Sequence, residues 1–131
     1  MKPPKWVDRR AVVLLHGETL AQHGGLAGLR DPGGLEAALA RPLHLHTYEP
    51  ESDLARLAAA YAFGIVRNHP FNDGNKRAGF LALGLFLECN GRQLTADPIE
   101  AIAIILRLAE RKLNESELAR WIRQNMRTTP Q

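Results

Sequence analysis

The chain has a single cysteine, Cys89, in 131 residues. One thiol excludes an intramolecular disulfide and suits a reducing compartment. No uninterrupted apolar run is longer than the stretch from Ala78 to Leu87, about half of a membrane span. The opening residues MKPPKWVDRR carry charge with no apolar segment behind it, so neither a leader nor a membrane anchor is expected and the expected location is cytoplasmic. Neither sign of charge dominates: 17 Lys and Arg face 14 Asp and Glu, a net of +3. That balance admits a polyanionic partner without requiring one. Walker-type phosphate loops, Gly-x-Gly-x-x-Gly and zinc-helix motifs are all missing. Any nucleotide must be bound in some other way.

What is present is helical period along nearly the whole chain, with no internal repeat and no low-complexity linker. Asp8 can cap a first helix with Val12, Leu15 and Leu20 on one face, ended by Gly24-Gly25. Asp31-Pro32 places a cap before a proline at the first helical position and opens a short helix through Leu35, Ala38 and Leu39 that stops before Pro42. The segment PLHLHTYEP, 42 to 50, alternates and is expected as a short extended flap or hairpin, with His44 and His46 exposed on it. Ser52 precedes a helix through Leu54, Leu57, Ala58, Tyr61 and Ile65 that ends near Asn68. Residues 76 to 90 are apolar almost all round, as for a helix buried at the centre of a bundle, and Gly91 closes it. Asp97-Pro98 starts a helix through Ile102, Ile105 and Leu108, and Asn114 with Glu117 three residues on starts the last one. About six helices in one domain spanning 1–131 make an all-α fold. His16 and His23 read as surface residues of the first helix and its end, and Cys89 as a packing residue.

The stretch HPFNDGNKR, 69 to 77, asks for more than a turn, because it packs titratable and cationic groups at the mouth of an apolar helix. A helix N-terminus presents unpaired N–H groups and partial positive charge, so it attracts anions. Gly74 permits a positive φ and close approach of a ligand. Asn75 can cap the helix or orient an oxygen, and Lys76 and Arg77 supply donors for phosphate oxygens. His69 is the residue type best suited to take a proton from a hydroxyl near neutral pH. A lone carboxylate such as Asp73 beside phosphates is the usual anchor of a Mg²⁺ that keeps most of its waters. Taken singly, each residue has a plain use as cap, turn or solvated charge. Together they supply a base, a metal ligand and anion donors, the parts that phosphoryl or nucleotidyl transfer needs.

These nine residues resemble the signature loop of the Fic/Doc superfamily, and specifically its death-on-curing branch, whose pattern is roughly His-x-Phe-x-Asp-(Ala/Gly)-Asn-Lys-Arg. HGGLAGLRDPGGLEAALARP, 23 to 42, Tyr48-Glu49 and FLECNG, 86 to 91, are similar to flanking parts of the same family. The resemblance implies a compact helical fold with His69 as general base, Asp73 as Mg²⁺ ligand, and Gly74, Asn75 and Lys76 as the anion-binding turn. It places Arg77 on the nucleotide phosphates, with Arg67 as a further phosphate contact; otherwise Arg67 is a cation at a helix C-terminus. Fic enzymes that transfer AMP read Gly-Asn-Gly-Arg with a second arginine three residues on, where this chain has Lys76 and Phe80. That difference favours phosphorylation over AMP transfer, and the resemblance to the death-on-curing branch implies a kinase that moves the γ-phosphate of ATP to a threonine of elongation factor Tu. The resemblance also implies a separate antitoxin chain that inhibits in trans, since Thr47 to Glu51 is a poor match to a built-in inhibitory helix. Two other readings are an AMP transferase on the same site and a non-enzymatic binding module using Arg107, Arg111, Lys112, Arg120, Arg123 and Arg127. Those cations alternate with Glu110, Glu115 and Glu117, a solvated surface, so no direct nucleic-acid binding is expected.

Overall fold

The computed structural model describes residues 2–130, and among them six helices pack around one core. They are α1 (Arg9–His23), α2 (Pro32–Tyr48), α3 (Leu54–Asn68), α4 (Asn75–Cys89), α5 (Pro98–Ala109) and α6 (Glu115–Gln124). No helix among the described residues is long and apolar enough to cross a membrane.

Local chemistry sets the helix starts. The carboxylates of Asp8, Asp31 and Asp53 each accept a backbone N–H of the following turn, and Asn114 with Glu117 completes a reciprocal capping box. α1 stops where Gly24 turns to φ 76°.

The helix at the centre is α3, which precedes the loop, and not the apolar helix α4 that follows it. α3 buries ten residues, from Ala55 to Val66, on nearly every side. Its small residues Ala58 to Ala60, Ala62 and Gly64 let α2, α4 and α6 approach together. A Cβ on Gly64 would lie 3.1 Å from the Ala38 Cα of α2, and one on Gly79 of α4 would lie 3.0 Å from Val66 of α3. α4 buries one face, with Ala78, Ala82, Leu83, Phe86 and Leu87 inward, and leaves Phe80, Leu81 and Leu85 half-covered.

The expected flap at 42–50 does not form. α2 runs unbroken through Pro42 to Tyr48. Proline inside a helix removes one N–H and costs about 3 kcal/mol. Here Pro42 is fully buried, which offsets that loss. The alternation of Leu and His reflects a helix flank: Leu45 and His46 are half-buried, and His46 meets the edge of Trp6 at 5.6 Å, while His44 stays exposed. A second departure from an all-helical plan is a short antiparallel pair, β1 (Arg92–Leu94) with β2 (Met126–Thr128), which ties the C-terminal end to the exit of α4. Cys89 is exposed and is not a core packing residue.

One interhelical link makes stability depend on pH. Asp53 caps α3 through Arg56 N at 2.9 Å and is gripped by Arg123 of α6 at 2.6 and 3.0 Å. The Arg123 hydrogen bonds hold its carboxyl below the ordinary range, with help from the Arg56 amide. A depressed carboxyl contributes in full above the unfolded value of about 3.9 and loses that contribution as pH falls through the folded value. Asp53→Asn should therefore melt earlier than the parent at neutral pH. The gap should close as pH drops below about 4, as thermal melts across pH will show.

Candidate active site

The loop 69–74 connects the central helix to α4, so two packed helices fix both of its ends. His69 is the C-cap of α3, with its backbone in the left-handed region at φ 50°, and its side chain is exposed. Histidine is among the non-glycine residues that enter this region more readily than most. Phe71, 1% exposed, anchors the loop in the core. Gly74, at φ 76°, is the N-cap of α4. Its positive φ is what favours glycine here, since a Cβ would meet the His16 imidazole only at an ordinary contact distance of 3.4 Å.

Asn75 is buried, and its side chain turns inward. Its Oδ1 accepts from Phe71 N and its Nδ2 donates to Phe71 O, both at 2.9 Å. The carboxamide thus latches the loop, and the group Asn75 offers outward is its backbone N–H at the first position of α4. Lys76 and Arg77 lie exposed in the same turn, and neither forms an ion pair with another described residue. Cations at the positive end of a helix dipole add to its attraction for anions.

A strap of residues 24–31 runs beside the loop. Leu29 bridges Phe71, Gly28 O accepts from Asn72 N at 3.0 Å, and Pro70 O accepts from the N–H groups of Arg30 and Asp31 at 2.7 and 3.0 Å. The Arg30 guanidinium donates to His69 O at 2.8 Å and to Asn68 O at 3.0 Å, satisfying carbonyls at the end of α3. Asp73 is held from both sides, its Oδ1 by Gly74 N at 2.9 Å and its Oδ2 by Leu26 N at 3.3 Å. A Cβ on Gly25, at φ 125°, would stand 3.0 Å from Asp73 Oδ2 and 2.9 Å from Leu20. Gly25→Ala should thus displace the strap or Asp73, destabilising the fold and lowering activity about tenfold, the scale on which lost support for a positioned side chain acts. Parallel melts and activity assays measure the two effects.

His16 corrects an expectation. It is not a surface residue but 4% exposed, its ring stacked on Phe71 at 3.7 Å and its Nε2 2.7 Å from Asp73 O. The inward stripe of α1 is Val12, His16 and Thr19, with Leu15 and Leu20 only half-buried. Neither His16 nor Arg30 stood out in the sequence. An apolar pattern points away from His16, and Arg30 sits beside a helix cap that already accounts for the segment.

Arg67 lies apart from this cluster. It lines a cleft of about 530 Å³ between α2 and α3 that includes Asn68 but none of residues 69–77. Its guanidinium and that of Arg41 lie 4.8 and 4.6 Å from the centre of the Phe63 ring, and Arg41 also pairs with Glu115. The Arg67 Nε is buried without a hydrogen-bond partner among the described residues.

An exposed imidazole, one carboxylate and a helix N-terminus carrying two cations without ion-pair partners among the described residues thus lie together on a loop clamped by its neighbours. The family model described as "Fic/DOC family" matches residues 6–87, and the chain belongs to that family. It is 34% identical over 118 residues to Protein kinase doc of Escherichia phage P1, covering 90% of this chain and 93% of that protein. It is 43% identical over 75 residues to Toxin Doc of Mycolicibacterium smegmatis, which is 56% of this chain and 58% of that protein.

Proposed function

We propose that this chain is a Doc-type toxin that phosphorylates a hydroxyl of a translation factor, with ATP as donor and Mg²⁺ as cofactor, under the control of a separate antitoxin. The observation that carries the reading is the exposed His69 beside an α4 N-terminus whose second residue is Lys76. AMP-transferring members keep glycine at that place, and an arginine where this chain has the half-buried Phe80. The relatives named for a protein kinase and a toxin support the same reading.

The residues fit the implied donor and metal. Among the described residues no group of three His, Cys, Asp or Glu could enclose a metal. Asp73 is a single carboxylate with one hydrogen bond to each oxygen and lone pairs left over. That donor set suits Mg²⁺, which retains waters and shares phosphate oxygens, and would not suit a metal needing a full protein cage. When bound, the ion neutralises phosphate charge during transfer.

The chain's own groups do the rest. The N–H groups of Asn75 and Lys76, with the side chains of Lys76 and Arg77, hold the phosphates, while the Gly74 N–H stays on Asp73 Oδ1 and Gly74 shapes the turn. His69 takes the proton from the attacking hydroxyl and orients it. Arg67 would reach a phosphate only from the neighbouring α2–α3 cleft.

Incubation with purified elongation factor Tu, Mg²⁺ and ATP, read by intact mass, tests the proposal. A gain of one phosphate on a threonine, dependent on His69, is expected. Label carried from α-labelled and not γ-labelled ATP would overturn phosphotransfer in favour of AMP transfer.

A further inference from the structure

We infer that His16 is a positioning residue for the active-site loop, locking the orientation of the Asp73–Gly74 peptide through its Nε2–H. The Asp73 carbonyl only accepts, so at 2.7 Å the proton of the contact resides on Nε2 of the imidazole. The bond draws that carbonyl toward α1. Rotation of the same peptide plane would swing the oxygen around and carry the Gly74 N–H away from Asp73 Oδ1, which it meets at 2.9 Å. Glycine at positive φ resists such a flip less than any other residue. The restraint must come from outside the loop.

The setting of His16 supplies it. Its ring lies at 15° to Phe71 with centroids 3.7 Å apart, so the imidazole is fixed by the same aromatic that anchors the loop. At 4% exposure, water does not compete for the bond. One side chain from α1 therefore sets the peptide joining the metal-binding carboxylate to the anion turn. It touches neither substrate nor metal and acts through Asp73 and Gly74. A histidine that served only as core would need a satisfied nitrogen, but not one directed at this carbonyl.

The catalytic arm of the test rests on the proposed phosphotransfer; the structural arm does not. His16→Phe keeps the aromatic shape and removes the donor, whereas His16→Gln can return an amide N–H near the Nε2 position. In the full chain, amide exchange should accelerate about tenfold at residues 73–76 in His16→Phe while the interiors of α3 and α4 keep their protection. Calorimetric affinity for Mg·ATP should fall by at least about tenfold, and His16→Gln should recover both quantities to within about threefold. Unchanged exchange and affinity in His16→Phe would overturn the inference. So would a loss spread evenly over the molecule that His16→Gln does not rescue, which marks a residue of packing alone. Absence of Mg·ATP binding in the parent chain would defeat the phosphotransfer reading, and local exchange at 73–76 would still decide the role of His16.

Discussion

His69→Ala should reduce transfer to the target by about 10² to 10⁴ while the protein still folds, the range associated with loss of a positioned general base. The side chain is exposed, so its removal opens no cavity in the core. Its backbone bonds, N to Ile65 O at 3.1 Å and O from Arg30 at 2.8 Å, do not depend on the imidazole. The one structural concern is the left-handed conformation at φ 50°, which alanine adopts less readily. His69→Asn answers it, because asparagine favours that region and offers no comparable base. Both variants should be inactive, and the Asn variant should melt close to the parent. Transfer by either at a parental rate, measured by intact mass, would remove His69 from the mechanism.

Asn75→Ala should cost about 2–5 kcal/mol of stability, because it strands a buried N–H and a buried carbonyl of Phe71 at once. Against a typical total of about 5–15 kcal/mol, that is a large share. The latch also shapes the turn that starts α4, so surviving folded protein should bind ATP weakly. Asn75→Asp is the informative companion: it keeps an acceptor for Phe71 N and loses the donor to Phe71 O. Denaturant unfolding should place it between the parent and Asn75→Ala. Equal stability of Asn75→Ala and the parent would mean that the inward carboxamide does not hold the loop.

Features set by neighbouring residues were legible in the sequence. The caps at Asp8, Asp31 and Asn114 and the glycine turn at Gly74 follow from chemistry within a few residues, and the structure shows each of them. The co-occurrence of His69, Asp73, Lys76 and Arg77 marked the loop for the same reason. Features set by packing were not legible. α2 continues through Pro42 because burial against α3 outweighs a missing N–H, a balance no local pattern contains. α4 reads as apolar almost all round, yet α3 occupies the centre because its alanines and Gly64 are small enough to be surrounded. His16 meets a partner 57 residues away, and Arg30 partners 38 and 39 residues away. Asn75 was legible as a site residue, but the inward aim of its side chain depends on where Phe71 lies.

The strap is tied to the loop largely through backbone groups and surface side chains, whereas the helices behind it share a dry core. Contacts of the first kind open at lower free energy than the core does. Warming should thus disarm the molecule before it melts, since releasing residues 24–31 frees Asp73 and the end of α3 without disturbing Ile65 or Leu83. Competence and foldedness are then separate properties of this chain. A helical spectrum alone does not certify an armed site.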